Sequence, residues 1–150
     1  MLISIASDHA GFAQKQTLKV FLQETLGHTV IDRGPDTEDR VDYPDFAVIV
    51  ARDVAEGKAD RGVLVCGTGI GMALAADKVA GCRAANIITP EFAALCREHN
   101  DTNIITLSGR FVEEETNREI LTTFLSTEFG GGRHAGRVEK IMALDAKTKV

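Results

Sequence analysis

Short β-branched runs alternating with longer stretches of helical period constrain this chain more than any other feature. Leu2 to Ala6, Thr29 to Arg33, Gly62 to Cys66, Arg83 to Ile88 and Asn103 to Leu107 read as five strands. After the first, Phe12, Leu18, Phe21, Leu22 and Leu26 recur at helical spacing, which predicts one apolar helix face ending at Gly27. A second helix is expected from Pro44 to Glu56, a third out of the glycine loop after Cys66, and a fourth after Pro90. The fifth covers about Glu113 to Thr127, and a C-terminal helix starts near Arg133, after Gly130-Gly131-Gly132. Strands apolar along their length and joined by helices specify a parallel sheet covered on both faces, because each right-handed crossover lays its helix on one side. The expected fold is an α/β three-layer sandwich with a five-stranded parallel sheet in the order 2-1-3-4-5. Its crevice lies outside the carboxyl ends of strands one and three, where chemistry should gather.

The 150 residues, 44% hydrophobic, suit a single domain over 1–150. Lysine and arginine total 17 against 22 aspartate and glutamate, and this net charge of -5 argues against nucleic acid or a membrane surface as partner. No stretch approaches the about 20 apolar residues of a membrane span, and the first residues lack a basic start and cleavage site, so a cytoplasmic protein is expected. Cys66, Cys82 and Cys96 have neither even number nor paired spacing, and His9, His28, His99 and His134 show no metal-binding spacing. Free thiols are expected, with no metal and no cofactor.

Cys66-Gly67-Thr68-Gly69-Ile70-Gly71 closes a strand and opens a helix. Main-chain N–H groups in such a loop point at an anion, and a thiol beside them is placed to act as nucleophile or general base. Cysteine is equally a residue of buried cores, so Cys66 alone fits both readings. Better-known loops are excluded by position. Met72 stands where a dinucleotide fingerprint needs its third glycine and where a cysteine phosphatase needs its arginine, and the Gly-Lys-Ser/Thr ending of a Walker loop is absent.

Asp8 and His9 follow strand one and would face the same crevice, or Asp8 would simply cap the next helix. His99 and Asn100 lie between the fourth helix and strand five, in a loop position that suits either a catalyst or a surface histidine at a helix end. Arg133 and Arg137, four apart, would share a helix face and grip one phosphate, with a solvated basic patch as the alternative. The glycines before them look suited to close approach of backbone or ligand. Arg110, after Ser108-Gly109, is a further phosphate contact or a structural ion pair.

Together, Ser7-Asp8-His9-Ala10-Gly11, Asp42-Tyr43-Pro44, Cys66 to Gly71, His99-Asn100-Asp101-Thr102-Asn103 and Gly131-Gly132-Arg133-His134 closely resemble the ribose-5-phosphate isomerase B family, which includes galactose-6-phosphate isomerase subunits. The ordered set runs nearly end to end. The resemblance implies a Rossmann-like domain, a homodimer or dimer of dimers, and an active site completed across the subunit boundary. It makes Cys66 the base that moves a proton between C1 and C2, with Thr68 and the amides of Gly67, Gly69 and Gly71 around the enediolate. His99 would open the sugar ring and Asp8 would assist at the sugar oxygens. His9, Arg110, Arg133 and Arg137 fall where the family binds phosphate, Asn100 where it contacts sugar, and Tyr43 at the pocket wall. The branch of the family that uses a glutamate in the glycine loop has its counterpart at Met72, which puts this chain with the cysteine branch. Phe92 stands where a tyrosine is commoner, a difference that bears on ring-size preference.

The activity implied is conversion of ribose 5-phosphate to ribulose 5-phosphate, a small phosphorylated sugar being the only partner besides a second copy. The alternatives are an isomerase of a hexose or tetrose phosphate, such as allose or galactose 6-phosphate, and a non-catalytic phosphosugar-binding module.

Overall fold

The computed structural model describes residues 1–147. Strands β1 (Leu2–Ser7), β2 (Thr29–Asp32), β3 (Arg61–Cys66), β4 (Ala84–Asn86) and β5 (Ile104–Ser108) form one parallel sheet. Around it pack α1 (Phe12–Val20, extended by a π-helical turn over Phe21–Thr25), α2 (Tyr43–Ala55), α3 (Ile70–Ala76), α4 (Pro90–Asn100), α5 (Glu114–Ser126) and α6 (Ala135–Met142). Local chemistry sets several ends. Pro44 and Asp45 occupy the first turn of α2, a ring with the helical φ already in place and a carboxylate that suits the helix dipole. Thr89 caps α4 by accepting the Phe92 N–H at 3.3 Å, and Asp101 closes it in the left-handed conformation.

Across the sheet the order is β2-β1-β3-β5-β4. The expected parallel sheet forms, but its last two strands are exchanged relative to 2-1-3-4-5. Burial explains the exchange. All five residues of β5 are buried, whereas none of the three residues of β4 is fully so. An interior slot needs a strand covered on both faces, and a very short strand is safest at an edge.

The exchange decides which layer α4 joins. Running from β4 back to β5, a right-handed crossover carries α4 to the face opposite α2 and α3. Accordingly Leu18 and Leu22 after β1, Ala93 of α4, and Ile120 and Phe124 of α5 pack together on Ile3, Ile5, Val63, Val65, Ile105 and Leu107. The other face is covered by Ala47, Val50 and Ala51 of α2 with Met72 and Ala76 of α3, over Ala6, Leu64 and Cys66. Each fully buried Leu, Ile or Phe contributes about 1.5–3 kcal/mol, so the two clusters hold the strand ends rigidly in register.

Two partly buried ionic contacts fasten the segment between β2 and α2 to this frame. Lys15, fully buried on α1, donates to Asp32 Oδ1 at 2.9 Å and to the Pro35 carbonyl at 2.7 Å. Asp53 accepts from Arg33 Nε at 2.7 Å and from the Ser4 hydroxyl at 2.7 Å. Burial works to raise the Asp53 carboxyl, but Arg33 and Ser4 hold it below the usual range. The segment so anchored carries Val41 and leads into Tyr43, both of which reach the carboxyl edge of the sheet.

Candidate active site

Three loops meet where β1, β3 and β5 end. The turn after β1 approaches β3 so closely that a Cβ on Gly11 would overlap the Val65 carbonyl. The loop after β5 is tied to the loop after β3: Gly109 N–H donates to the Cys66 carbonyl at 2.8 Å and Arg110 N–H to the Gly67 carbonyl at 3.1 Å. This is the crevice expected of an open parallel sheet, beside the strand where the winding changes direction.

Cys66 is the last residue of β3, and its Sγ accepts the Gly69 N–H at 3.1 Å. Cys66 is 4% exposed, lying beneath its own glycine loop at the top of the α2/α3 cluster. Gly69 has φ +83°, a left-handed residue that folds the loop back over the sulfur, and the Thr106 hydroxyl beneath it donates to the Gly69 carbonyl at 2.8 Å. Thr68 points outward with its hydroxyl accepting the Ile70 N–H at 3.2 Å. Among the described residues the N–H groups of Gly67, Thr68 and Gly71 have no protein acceptor, which leaves a fan of donors open to an anion.

The flanking side chains converge on this loop. Asp8, 7% exposed, accepts the Gly11 N–H at 2.9 Å, so it does hold the start of the following turn as a capping residue would, while remaining at the crevice floor. His9 lies with Nδ1 3.3 Å from the Val41 carbonyl, which orients its ring. Tyr43 lies against the loop: a Cβ on Gly71 would fall 2.5 Å from the Tyr43 ring. A Cβ on Gly67 would stand 3.5 Å from both Cδ and Nη1 of Arg110, so the exposed guanidinium hangs over the glycine loop.

The other expected residues sit elsewhere. His99 and Asn100 end α4, just before β5 begins, whereas Cys66 ends β3; in the parallel register Gly62 pairs with Ile104 and Cys66 with Ser108. His99 therefore belongs to the amino edge of the sheet and Cys66 to the carboxyl edge, on the order of 13 Å apart along the strands. His99 stacks on His134, with ring centroids 4.4 Å apart and planes 20° apart. Gly130 N–H donates to the Glu98 carbonyl at 3.0 Å and seats the following segment against α4. Gly131 and Gly132 serve torsion rather than close approach, since both have positive φ and neither has anything within 4 Å of its Cβ position. Arg133 lies on a 3-10 turn (Gly132–His134) and Arg137 on α6, both exposed. Burial, then the neighbouring His99, Arg133 and Arg137, hold the His134 imidazole below its ordinary range. A cavity of about 560 Å³ at this edge is lined by Asn100, Arg83, Asp77 and Ile141 and by none of the carboxyl-edge residues.

One chain thus presents two half-sets: Asp8, His9, Tyr43, Cys66, Thr68 and Arg110 at one edge, His99, Asn100, Arg133 and Arg137 at the other. The other thiols are poor reactive groups. Burial, with Asp77 and Asp145 nearby, pushes Cys82 up to about 11, and burial raises Cys96 as well. Residue-by-residue reading overlooked the polar residues that brace the crevice from behind, Gln14, Thr106, Ser108 and Asn117. The only signal for Asn117 was a polar residue at a position of α5 that faces the core.

Residues 3–141 match the family model described as Ribose/Galactose Isomerase. A ribose-5-phosphate isomerase B of Escherichia coli (strain K12) is 42% identical over 145 residues, covering 97% of this chain and 97% of that protein. The solved structure of Clostridium thermocellum ribose-5-phosphate isomerase B superposes with a TM-score of 0.96 at 46% identity, covering 98% of this chain and 99% of that one. Ribose-5-phosphate isomerase B from Mycoplasma genitalium, solved with bound ribulose-5-phosphate, gives a TM-score of 0.94 at 42% identity, with 98% and 97% covered. With sequence and structure both matching almost end to end, the chain belongs to the ribose/galactose isomerase family.

Proposed function

We propose that this chain is a cytoplasmic aldose–ketose isomerase acting on ribose 5-phosphate and ribulose 5-phosphate, with residues 1–150 as one catalytic domain. The observation that carries the reading is the meeting of a thiol, a fan of free main-chain N–H groups and a cationic side chain at one crevice. Cys66 takes the proton from C2 of the open-chain aldose, and the electron pair moves onto O1. Return of the proton to C1, as the O2 proton leaves, gives the ketose. The charge that develops on the enediolate oxygens is met by Thr68 and the open amides of Gly67, Thr68 and Gly71, while the Gly69 N–H holds the Cys66 sulfur, and no step requires a metal or cofactor. Asp8 assists at the sugar oxygens, and Tyr43 bounds the pocket.

Ring opening falls to His99, and phosphate binding to His9, Arg110, Arg133 and Arg137, with Asn100 on the sugar. Because the two half-sets occupy opposite edges of one chain, the working unit is a homodimer or a dimer of dimers in which one copy's His99 edge faces the other's Cys66 edge. The exposed apolar side chains Ile70, Leu74, Ile88 and Phe92 favour such pairing. A phosphate clamp remote from the reacting carbons lets binding energy position the sugar, so its loss lowers turnover as well as affinity.

Purified protein is assayed with ribose 5-phosphate in deuterated solvent, against allose 6-phosphate, galactose 6-phosphate and a tetrose phosphate. The expected result is deuterium at the exchanging carbon and the highest specificity constant for ribose 5-phosphate. A higher constant for another sugar overturns the substrate, and binding without any exchange overturns the enzyme.

A further inference from the structure

The Ser108–Val112 loop, which carries Arg110, is fastened on two sides. In front, Gly109 N–H and Arg110 N–H donate to the Cys66 and Gly67 carbonyls, and the Ser108 hydroxyl donates to the Gly67 carbonyl at 2.7 Å while accepting the Phe111 N–H at 3.0 Å. Behind, two side-chain amides take the loop's carbonyls. Asn117 Nδ2 donates to the Ser108 carbonyl at 2.9 Å and to Gln14 Oε1 at 2.7 Å. Gln14 Nε2 in turn donates to the Gly109 carbonyl at 3.1 Å and the Val112 carbonyl at 3.0 Å. Asn117 is fully buried, and the relay joins α1 to α5 across 103 positions of sequence.

From this geometry we infer that Gln14 and Asn117 are positioning residues for anion binding: their amide relay sets the height of the Arg110 loop over the glycine loop. The inference rests on the isomerase reading above for its catalytic consequence, but its binding consequence stands apart from turnover. Several features separate this from ordinary core filling. A buried amide carries a desolvation cost that an apolar residue at the same place would not. Both protons of Asn117 Nδ2 are spent on acceptors, so the orientation of its amide is dictated by the loop it holds. The carbonyls it and Gln14 capture belong to the residues on either side of Arg110. The Arg110 side chain itself makes no hydrogen bond or ion pair among the described residues, which leaves the guanidinium available to an anion. A guanidinium held by a rigid loop loses less freedom on binding, and misplacement by about 1 Å costs about a hundredfold where geometry is critical.

The test is a double-mutant cycle read by calorimetric binding of inorganic phosphate to the full-length protein, with ribose 5-phosphate kinetics alongside. Asn117→Ala is expected to weaken phosphate about tenfold and to lower kcat/KM about thirtyfold, with KM rising. In an Arg110→Ala background the same substitution should change phosphate affinity less than twofold, because the residue it acts through is gone. Gln14→Ala, at a half-exposed site on α1 that leaves Asn117 paired with Ser108, should show the same pattern at smaller amplitude, and it keeps the test open if Asn117→Ala does not fold. A fall in melting temperature with unchanged phosphate affinity overturns the inference, as does equal weakening in both backgrounds, since either marks a purely structural role. Phosphate binding that follows the predicted cycle in a protein without turnover sustains the inference and overturns only the isomerase reading.

Discussion

At the carboxyl edge of the sheet, main chain is bound by main chain. The loop after β5 donates two backbone hydrogen bonds to the end of β3 and its loop, Gly11 allows the turn after β1 to touch β3, and Arg110 and Thr68 remain turned outward. At the amino edge, charged side chains close the structure. Arg97, 2% exposed, donates to the Thr102 carbonyl at 2.6 Å and Asp101 Oδ1 at 2.9 Å, and Arg83 Nε donates to the Asp101 carbonyl at 2.8 Å. Those guanidinium groups are spent on chain ends, while Arg133 and Arg137 stay exposed on the segment that follows α5. The difference teaches how to sort arginines here: a buried one that satisfies carbonyls holds the fold, and an exposed one beside a loop of free donors is available to a ligand.

The largest expected effect tests the carboxyl edge directly. Cys66→Ala should lower kcat about a thousandfold, the scale of a lost general base, with little change in melting temperature; parent-like turnover would remove the proposed base. Next comes the relation between the edges. Cys66→Ala and His99→Ala chains, each inactive, are co-expressed with different tags and assayed as a mixture. Random pairing should restore about a quarter of the parent sites, because a mixed pair carries one site free of both changes. No recovery would mean that each site is built within one chain.

The arginines divide the comparison further. Arg137→Ala should raise KM for ribose 5-phosphate about ten- to a hundredfold at unchanged stability, whereas Arg97→Met should cost about 1–3 kcal/mol in urea unfolding by leaving the Thr102 and Thr127 carbonyls without their donor, Asp101 keeping Arg83 as its partner. Reversal of that pattern would refute the sorting rule. The smallest effect is electrostatic. His134 titrates below its ordinary value of 6.5 in the folded chain, so the unfolded chain binds the proton first as pH falls. Its contribution to stability is therefore complete above about pH 6.5 and declines as pH drops through that value toward the folded pKa. In an NMR titration the His134 ring should show a depressed midpoint that moves upward in Arg133→Ala.

Much of this was legible along the chain. Apolar runs located all five strands to within about two residues, because a strand buried on both faces leaves a continuous signature. The Cys66-to-Gly71 loop was legible because a glycine-rich turn between strand and helix has a local geometric cause. The exchange of β4 and β5 was not, since neighbour choice in a sheet depends on relative burial. Ala84–Asn86 yields the interior only by comparison with Ile104–Ser108. Gln14 and Asn117 escaped notice because each alone reads as a polar helix residue, and only folding brings two positions 103 apart within 2.7 Å.

Local order, which depends on neighbours a few residues away, was written in the sequence: the strands, the first turns of α2 and α4 with their prolines Pro44 and Pro90, and the loop that carries the thiol. Tertiary structure alone decided which strand takes the edge of the sheet and which face each helix covers, because the direction of each crossover and the depth of each strand are set by packing the whole sheet at once. His99 and Cys66 stand at opposite edges because all five strands run the same way, one residue preceding a strand and the other ending one, and packing the sheet is what makes them parallel.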